Sequence, residues 1–211
     1  MKTDDLIGLL AKGAGPAEPA HEERRMALGV VLALPVMVAA VWAGIGLVPV
    51  ALWPVSGTFA KFLYAGMMLF GGGLLLRRLG RPGAATGLPL ALIGGTLAAM
   101  AMIGVADLLR QPEAGWSMHA LGKSATTCPA AILFLSVPAL AGMLWAARQL
   151  APTQLRLTGA AAGLAAGGLG AVVYALGCDE GALTFLALWY SLGMALATLL
   201  GAVIGPRLLR W

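Results

Sequence analysis

Charge is scarce in this sequence. Only 11% of the residues are Asp, Glu, Lys or Arg, against about 25% in an ordinary soluble domain. Apolar residues make up 60%, and the mean hydropathy is +0.88. A water-soluble globular chain is excluded on composition. Histidine and cysteine are nearly missing, with 2 of each. No zinc-ligand spacing, phosphate loop or Ser/His/Asp grouping occurs, so the chain is not read as an enzyme and no cofactor is implied. A quinone-linked disulfide enzyme would need a C-x-x-C couple, and there is none. No ionisable side chain falls in the middle of an apolar run. The charges that border such runs, Lys61 and Asp107, lie near their ends. Transporters and proton relays keep an ionisable group at mid-membrane, so transport is the weaker reading. It survives as the alternative of a small transporter or channel for a metal or hydrophobic compound.

What is present in abundance is apolar run and glycine. Six runs approach or exceed the roughly 20 residues that a membrane-crossing helix needs. They are expected at Met26–Val48, Ala60–Leu76, Thr86–Leu109, Cys128–Ala147, Leu157–Leu176 and Leu183–Ile204. The second is short, with Lys61 and Arg77 expected to snorkel outward at its ends. The fifth is nearly all Ala, Gly and Leu. Its Gly163, Gly167 and Gly168 permit close backbone approach and predict a central position. The fold class is therefore all-α, a polytopic six-helix membrane bundle. Residues 1–25 form a separate polar tail ahead of the transmembrane domain at 26–211.

Orientation follows from lysine and arginine. One side takes Lys2, Lys12, Arg24, Arg25, Arg77, Arg78, Arg81, Arg148, Arg156, Arg207 and Arg210. The other takes Lys61, Arg110 and Lys123, and the two sets account for all 14 basic residues. Both termini are expected in the cytoplasm. The net charge of +5 belongs to this topology and is not read as affinity for nucleic acid.

The opening stretch, MKTDDLIGLLAK, stands apart from the rest. It is not a secretory signal, because two acids precede a short apolar run. Thr3 is a candidate N-cap, Asp4 and Asp5 suit the first turn of a helix, and Gly13 can close it. Leu6, Leu9 and Leu10 share one face, with Ile7 beside them. So short a helix needs a surface to bury its stripe against. Docking on the protein's own membrane domain or on lipid headgroups is one solution. A helix laid into a groove of a soluble partner is the other. The stretch from Ala14 to Arg25, with Pro16, Pro19 and His21, reads as a linker.

Cys128, which begins the fourth span, and Cys178, in the tight fifth link, both fall on the side opposite the termini, where metals and oxidants would reach them. Three readings stand side by side. Either cysteine is an apolar filler, the pair is a structural bridge, or the pair senses redox state or soft metals. His119 is a further candidate ligand. The six tryptophans read mostly as interface anchors.

Taken together, the opening TDDLIGLLA followed by prolines, the polar tail, the six spans and one cysteine in each of the last two outer links resemble the negative-regulator-of-sigma-F family of bacterial six-span anti-sigma factors. The resemblance implies an inner-membrane protein that sequesters an extracytoplasmic-function sigma factor through its cytoplasmic segment and releases it under heavy-metal or oxidant stress. On this sequence it implies partner-binding residues Asp4, Asp5, Leu6, Leu9, Leu10 and Ala11. It implies a sensor pair, and candidate transient metal ligands, at Cys128 and Cys178. The implied partners are the sigma factor and the lipid bilayer, with no direct contact to DNA.

Overall fold

The computed structural model describes residues 3–13, 22–54, 57–81, 83–150 and 152–210, and all regular structure among them is helical. The helices are α1 (Thr3–Gly13), α2 (Glu22–Gly44), α3 (Thr58–Leu79), α4 (Gly87–Leu109), α5 (Trp116–Leu121), α6 (Thr127–Ala147), α7 (Leu155–Tyr174), α8 (Leu183–Phe185) and α9 (Ser191–Leu208). A five-residue π turn, Leu186–Tyr190, joins α8 to α9. Together these three pieces make one apolar rod of 26 residues.

Among the described residues, six helical segments are long and apolar enough to cross a membrane: Ala27–Gly44, Thr58–Leu79, Gly87–Leu109, Thr127–Ala147, Leu155–Tyr174 and Leu183–Leu208. Several boundaries differ from the sequence reading by a few residues, and two of them bear on the candidate sites. The second span is not short, because α3 starts at Thr58 and runs to Leu79, 22 residues in all. The polar end of the expected linker is helical, since α2 begins at Glu22. The remainder of the linker, residues 14–21, lies outside the described residues.

The helix α7 sits at the centre. It packs against α9, α3 and α6, while α2 packs on α6 and α4 lies outside α3. Its composition is the cause. Gly159 and Gly163 bring its backbone against that of α9 at Gly201 and Ala197, and Gly168 does the same against Leu69 of α3. A methyl group on Gly168 would stand 2.8 Å from the Leu69 Cα, closer than packed atoms tolerate. Without side chains between them, helices in lipid gain dispersion contacts along their whole length. The outer helices instead turn Leu32, Val36, Leu63, Phe70, Phe134 and Leu199 outward, all exposed, as a surface for acyl chains.

Candidate functional site

The tail helix and a cysteine cluster at the opposite end of the bundle are the two candidate sites. In α1, Asp4 and Asp5 occupy the first turn. Leu6, Ile7 and Leu9 are exposed, Leu9 by 61%. An apolar stripe of this kind has not been satisfied by the protein's own bundle. The expected partner residues Leu10 and Ala11 belong to the same helix, and their side chains lie outside the described set.

The other end of the bundle gathers the two cysteines. Cys128 lies in the first turn of α6, with its N–H donated to Ser124 O at 2.8 Å. Cys178 follows the end of α7, with its N–H on Tyr174 O at 3.1 Å. Both thiols are free, and both are buried, Cys128 at 0% and Cys178 at 4% exposure. Each lies within electrostatic range of the other, and Tyr174 is a hydrogen-bonding neighbour of Cys128. The expectation that loop positions would expose them is therefore corrected. Cys128 stands at the start of the fourth span, as expected, but is buried there, and the link carrying Cys178 folds down onto the bundle.

That fold of the link has identifiable causes. Lys61, expected to snorkel outward, is only 2% exposed and donates from Nζ to Cys178 O at 2.7 Å. A carbonyl just past a helix end has no intrahelical partner, and a cation there is favoured twice, by the hydrogen bond and by the dipole of α7. Glu180 Oε1 accepts the backbone N–H of Lys123 at 2.6 Å, and Val48 N donates to Leu176 O at 2.7 Å. Asp107 Oδ2 accepts the N–H of Thr184 at 3.1 Å, which satisfies an orphan donor at the start of α8. A cleft of about 410 Å³ opens beside the cluster, with Tyr174, Cys178, Asp179, Ser124 and Thr127 on its walls. Cys178 thus borders the cleft while staying 4% exposed.

Two aromatic residues complete the cluster. Tyr174 and Tyr190 have ring centroids 5.8 Å apart. The Tyr190 hydroxyl is fully buried and makes no well-formed hydrogen bond among the described residues, with the Cys178 thiol its one weak partner. Sequence reasoning missed Lys61, Tyr174 and Tyr190. The spacing of Lys61 from its own span end was a weak signal, and nothing local marked the tyrosines. Among the described residues no three of His, Cys, Asp and Glu come together as a metal site, so His119 does not join the pair. The tryptophans divide. Trp42 and Trp145 are exposed on the bundle surface, whereas Trp189 Nε1 donates to Ala120 O at 2.7 Å and Trp53 packs edge-on against Phe59 and Phe62.

Comparison with known proteins finds relatives along the whole chain. A family model described as negative regulator of sigma F matches residues 10–211. The anti-sigma-F factor NrsF of Caulobacter vibrioides is 39% identical, with all of both chains covered. The probable anti-sigma-F factor NrsF of Azospira oryzae is 36% identical, again over all of both chains. No solved structure matches.

Proposed function

The chain belongs to the negative regulator of sigma F family, and from that premise we propose that α1 grips an extracytoplasmic-function sigma factor and that the cysteine cluster governs its release. The protein is an anti-sigma factor, a regulatory rather than a catalytic kind of molecule, and its partner is a sigma factor. The observation that carries the proposal is the stripe of Leu6, Ile7 and Leu9, exposed beside Asp4 and Asp5 on a helix ahead of the first span. An amphipathic helix of this type lies in an apolar groove, while its acids face basic residues at the rim. Anchorage next to a bilayer raises its effective concentration for a partner that visits the membrane.

In this reading the tail is cytoplasmic, the bundle lies in the bacterial inner membrane, and the cysteine end faces outward. The eleven-to-three division of basic residues supports that orientation. Two free thiols in one cluster, with a cleft leading to one of them, support capture of a soft metal ion or oxidation to a bridge. Either event is proposed to loosen the grip of the tail on its partner.

Membranes carrying the full chain and its sigma factor test the grip. Solubilised wild-type protein is expected to retain the sigma factor through purification. Leu6→Glu is expected to lose it while inserting normally, because a charge would have to enter the groove. Full retention by Leu6→Glu would place the interface in the loops between spans instead. A reporter active only outside the cytoplasm, fused after Trp211, is expected to stay silent.

A further inference from the structure

We propose that Tyr190 is the positioning residue through which the state of the cysteine pair reaches the last span. The proposal rests on the sensing role given to Cys128 and Cys178 above and supplies the step from that pair into the bundle. Its starting point is the orphaned hydroxyl. Tyr190 is 0% exposed, and its Oη makes no well-formed hydrogen bond among the described residues, the Cys178 thiol being the one weak partner beside it. Buried polar groups in folded proteins are nearly all partnered, because desolvating one without return is unfavourable. A phenylalanine would fill the same volume without that penalty, so packing does not account for the hydroxyl. The polar groups that face it are the thiols of Cys178 and Cys128 and the hydroxyl of Tyr174. The buried hydroxyl is therefore a neighbour of the pair, and its ring lies 5.8 Å from that of Tyr174, which borders Cys128.

The backbone at Tyr190 is as unusual as its side chain. It is the last residue of the π turn Leu186–Tyr190. Single π turns carry one residue more than the α-ladder needs, and they occur mostly at functional sites. Such a turn has two neighbouring arrangements, π and α. A change of one residue in its register advances everything beyond it by about 1.5 Å along the axis. The next residue, Ser191, bonds back to Ala187 O and across to Tyr64 Oη at 2.6 Å, which holds the turn against α3. Beyond it, α9 meets α7 backbone to backbone at Gly201 and Gly159. No flexible side chains lie at that contact to absorb a displacement. At the far end, Leu208 O accepts Arg148 Nε at 2.6 Å, which ties α9 to the end of α6. The helix α6 in turn meets α2 at Gly142 and Gly29, and α2 carries the tail.

A soft metal ion forms bonds to the two sulfurs and displaces their protons to water. The groups beside the Tyr190 hydroxyl then change in shape and in donor capacity. Tyr190 turns, the π turn resets, and α9 shifts against α7. The two-state element that coupling requires is thus the turn itself.

The experiment uses the full chain with its sigma factor in lipid nanodiscs, and Cd²⁺ as the probe. Two readouts are taken: protection of the thiols from maleimide, and sigma factor retained. Wild type is expected to show protection and release together. Tyr190→Phe is expected to keep the sigma factor before Cd²⁺ is added and to keep thiol protection, yet to need at least about tenfold more Cd²⁺ for release, the equivalent of about 1.4 kcal/mol. Release from Tyr190→Phe at the wild-type Cd²⁺ concentration overturns the proposal. So does loss of thiol protection, which would make Tyr190 part of the capture site, and so does loss of retention before Cd²⁺. Cys178→Ser separates the two levels. If it still releases like wild type, the sensing role of the cysteines fails. If it is silent while Tyr190→Phe responds normally, only the role of Tyr190 fails.

Discussion

Lys61 holds the backbone of Cys178, with Nζ 2.7 Å from its carbonyl oxygen inside the protein. The contact closes the link between α7 and α8 over the cysteine cluster and joins it to α3. Lys61→Met keeps most of the side-chain length and deletes the donor. A hydrogen bond from a charged group contributes about 1.5–3 kcal/mol, so local opening of that link is expected to become roughly tenfold or more easier. Maleimide labelling of Cys178 in the Lys61→Met protein, compared with wild type under matched conditions, checks this. Equal rates would mean that the neighbouring bonds of Glu180 and Val48 hold the link alone.

The glycine contacts predict a sharp contrast among substitutions of one residue type. A side chain on Gly201 would run into the Gly159 carbonyl and stand 3.0 Å from the Gly163 Cα, whereas Gly73 and Gly94 have open space around them. Gly201→Val is expected to cost about 3 kcal/mol or more and to reduce the folded fraction seen by thermal unfolding in detergent. Gly73→Ala and Gly94→Ala are expected to be neutral or slightly stabilising, as alanine is the better helix former.

Acids at the start of α1 predict a salt signature. If Asp4 and Asp5 steer the tail to a basic rim, Asp4→Asn with Asp5→Asn is expected to slow association of the full chain with its sigma factor several-fold at low salt. The difference is expected to fade as ionic strength rises and the Debye length falls to about 8 Å. Stopped-flow association at several salt concentrations reads it.

Serine at either cysteine is expected to leave membrane insertion and sigma-factor retention intact. Two buried thiols are a small part of the contact made by six spans. The response to Cd²⁺ or a thiol oxidant is expected to be lost in Cys128→Ser and in Cys178→Ser alike. Reporter expression from a promoter read by the sigma factor gives the comparison.

Much of the architecture was legible in the chain because lipid imposes a simple rule. Backbone groups must be paired within the segment, so long apolar runs become helices, and an Ala/Gly run becomes the helix with most neighbours, as α7 is. The amphipathic tail could be read because its period and its acids agree. The cluster around the cysteines was less legible. The inward fold of Lys61 depends on an orphan carbonyl 117 residues away, which no local pattern announces. The burial of Cys178 depends on how its link is tied down by Lys61 and Glu180. The π turn at LALWY has the same apolar character as any α-helical span, since one extra residue in a hydrogen-bond ladder changes no composition.

The central place of α7 has a consequence for how the protein is made. It is the fifth span to leave the ribosome, and its mean hydropathy of 1.5 is the lowest of the six. Its partners α3 and α6 are already in the bilayer by then, while α9, which covers its Gly159 and Gly163 face, is synthesised after it. Until α9 arrives, that groove of bare backbone faces lipid. A transcript truncated before Ser191 would thus yield five inserted spans with an open seam, a product expected to be cleared by membrane proteases rather than to accumulate as a partner-binding fragment. Synthesis of α9 and closure of the seam along α7 are one event.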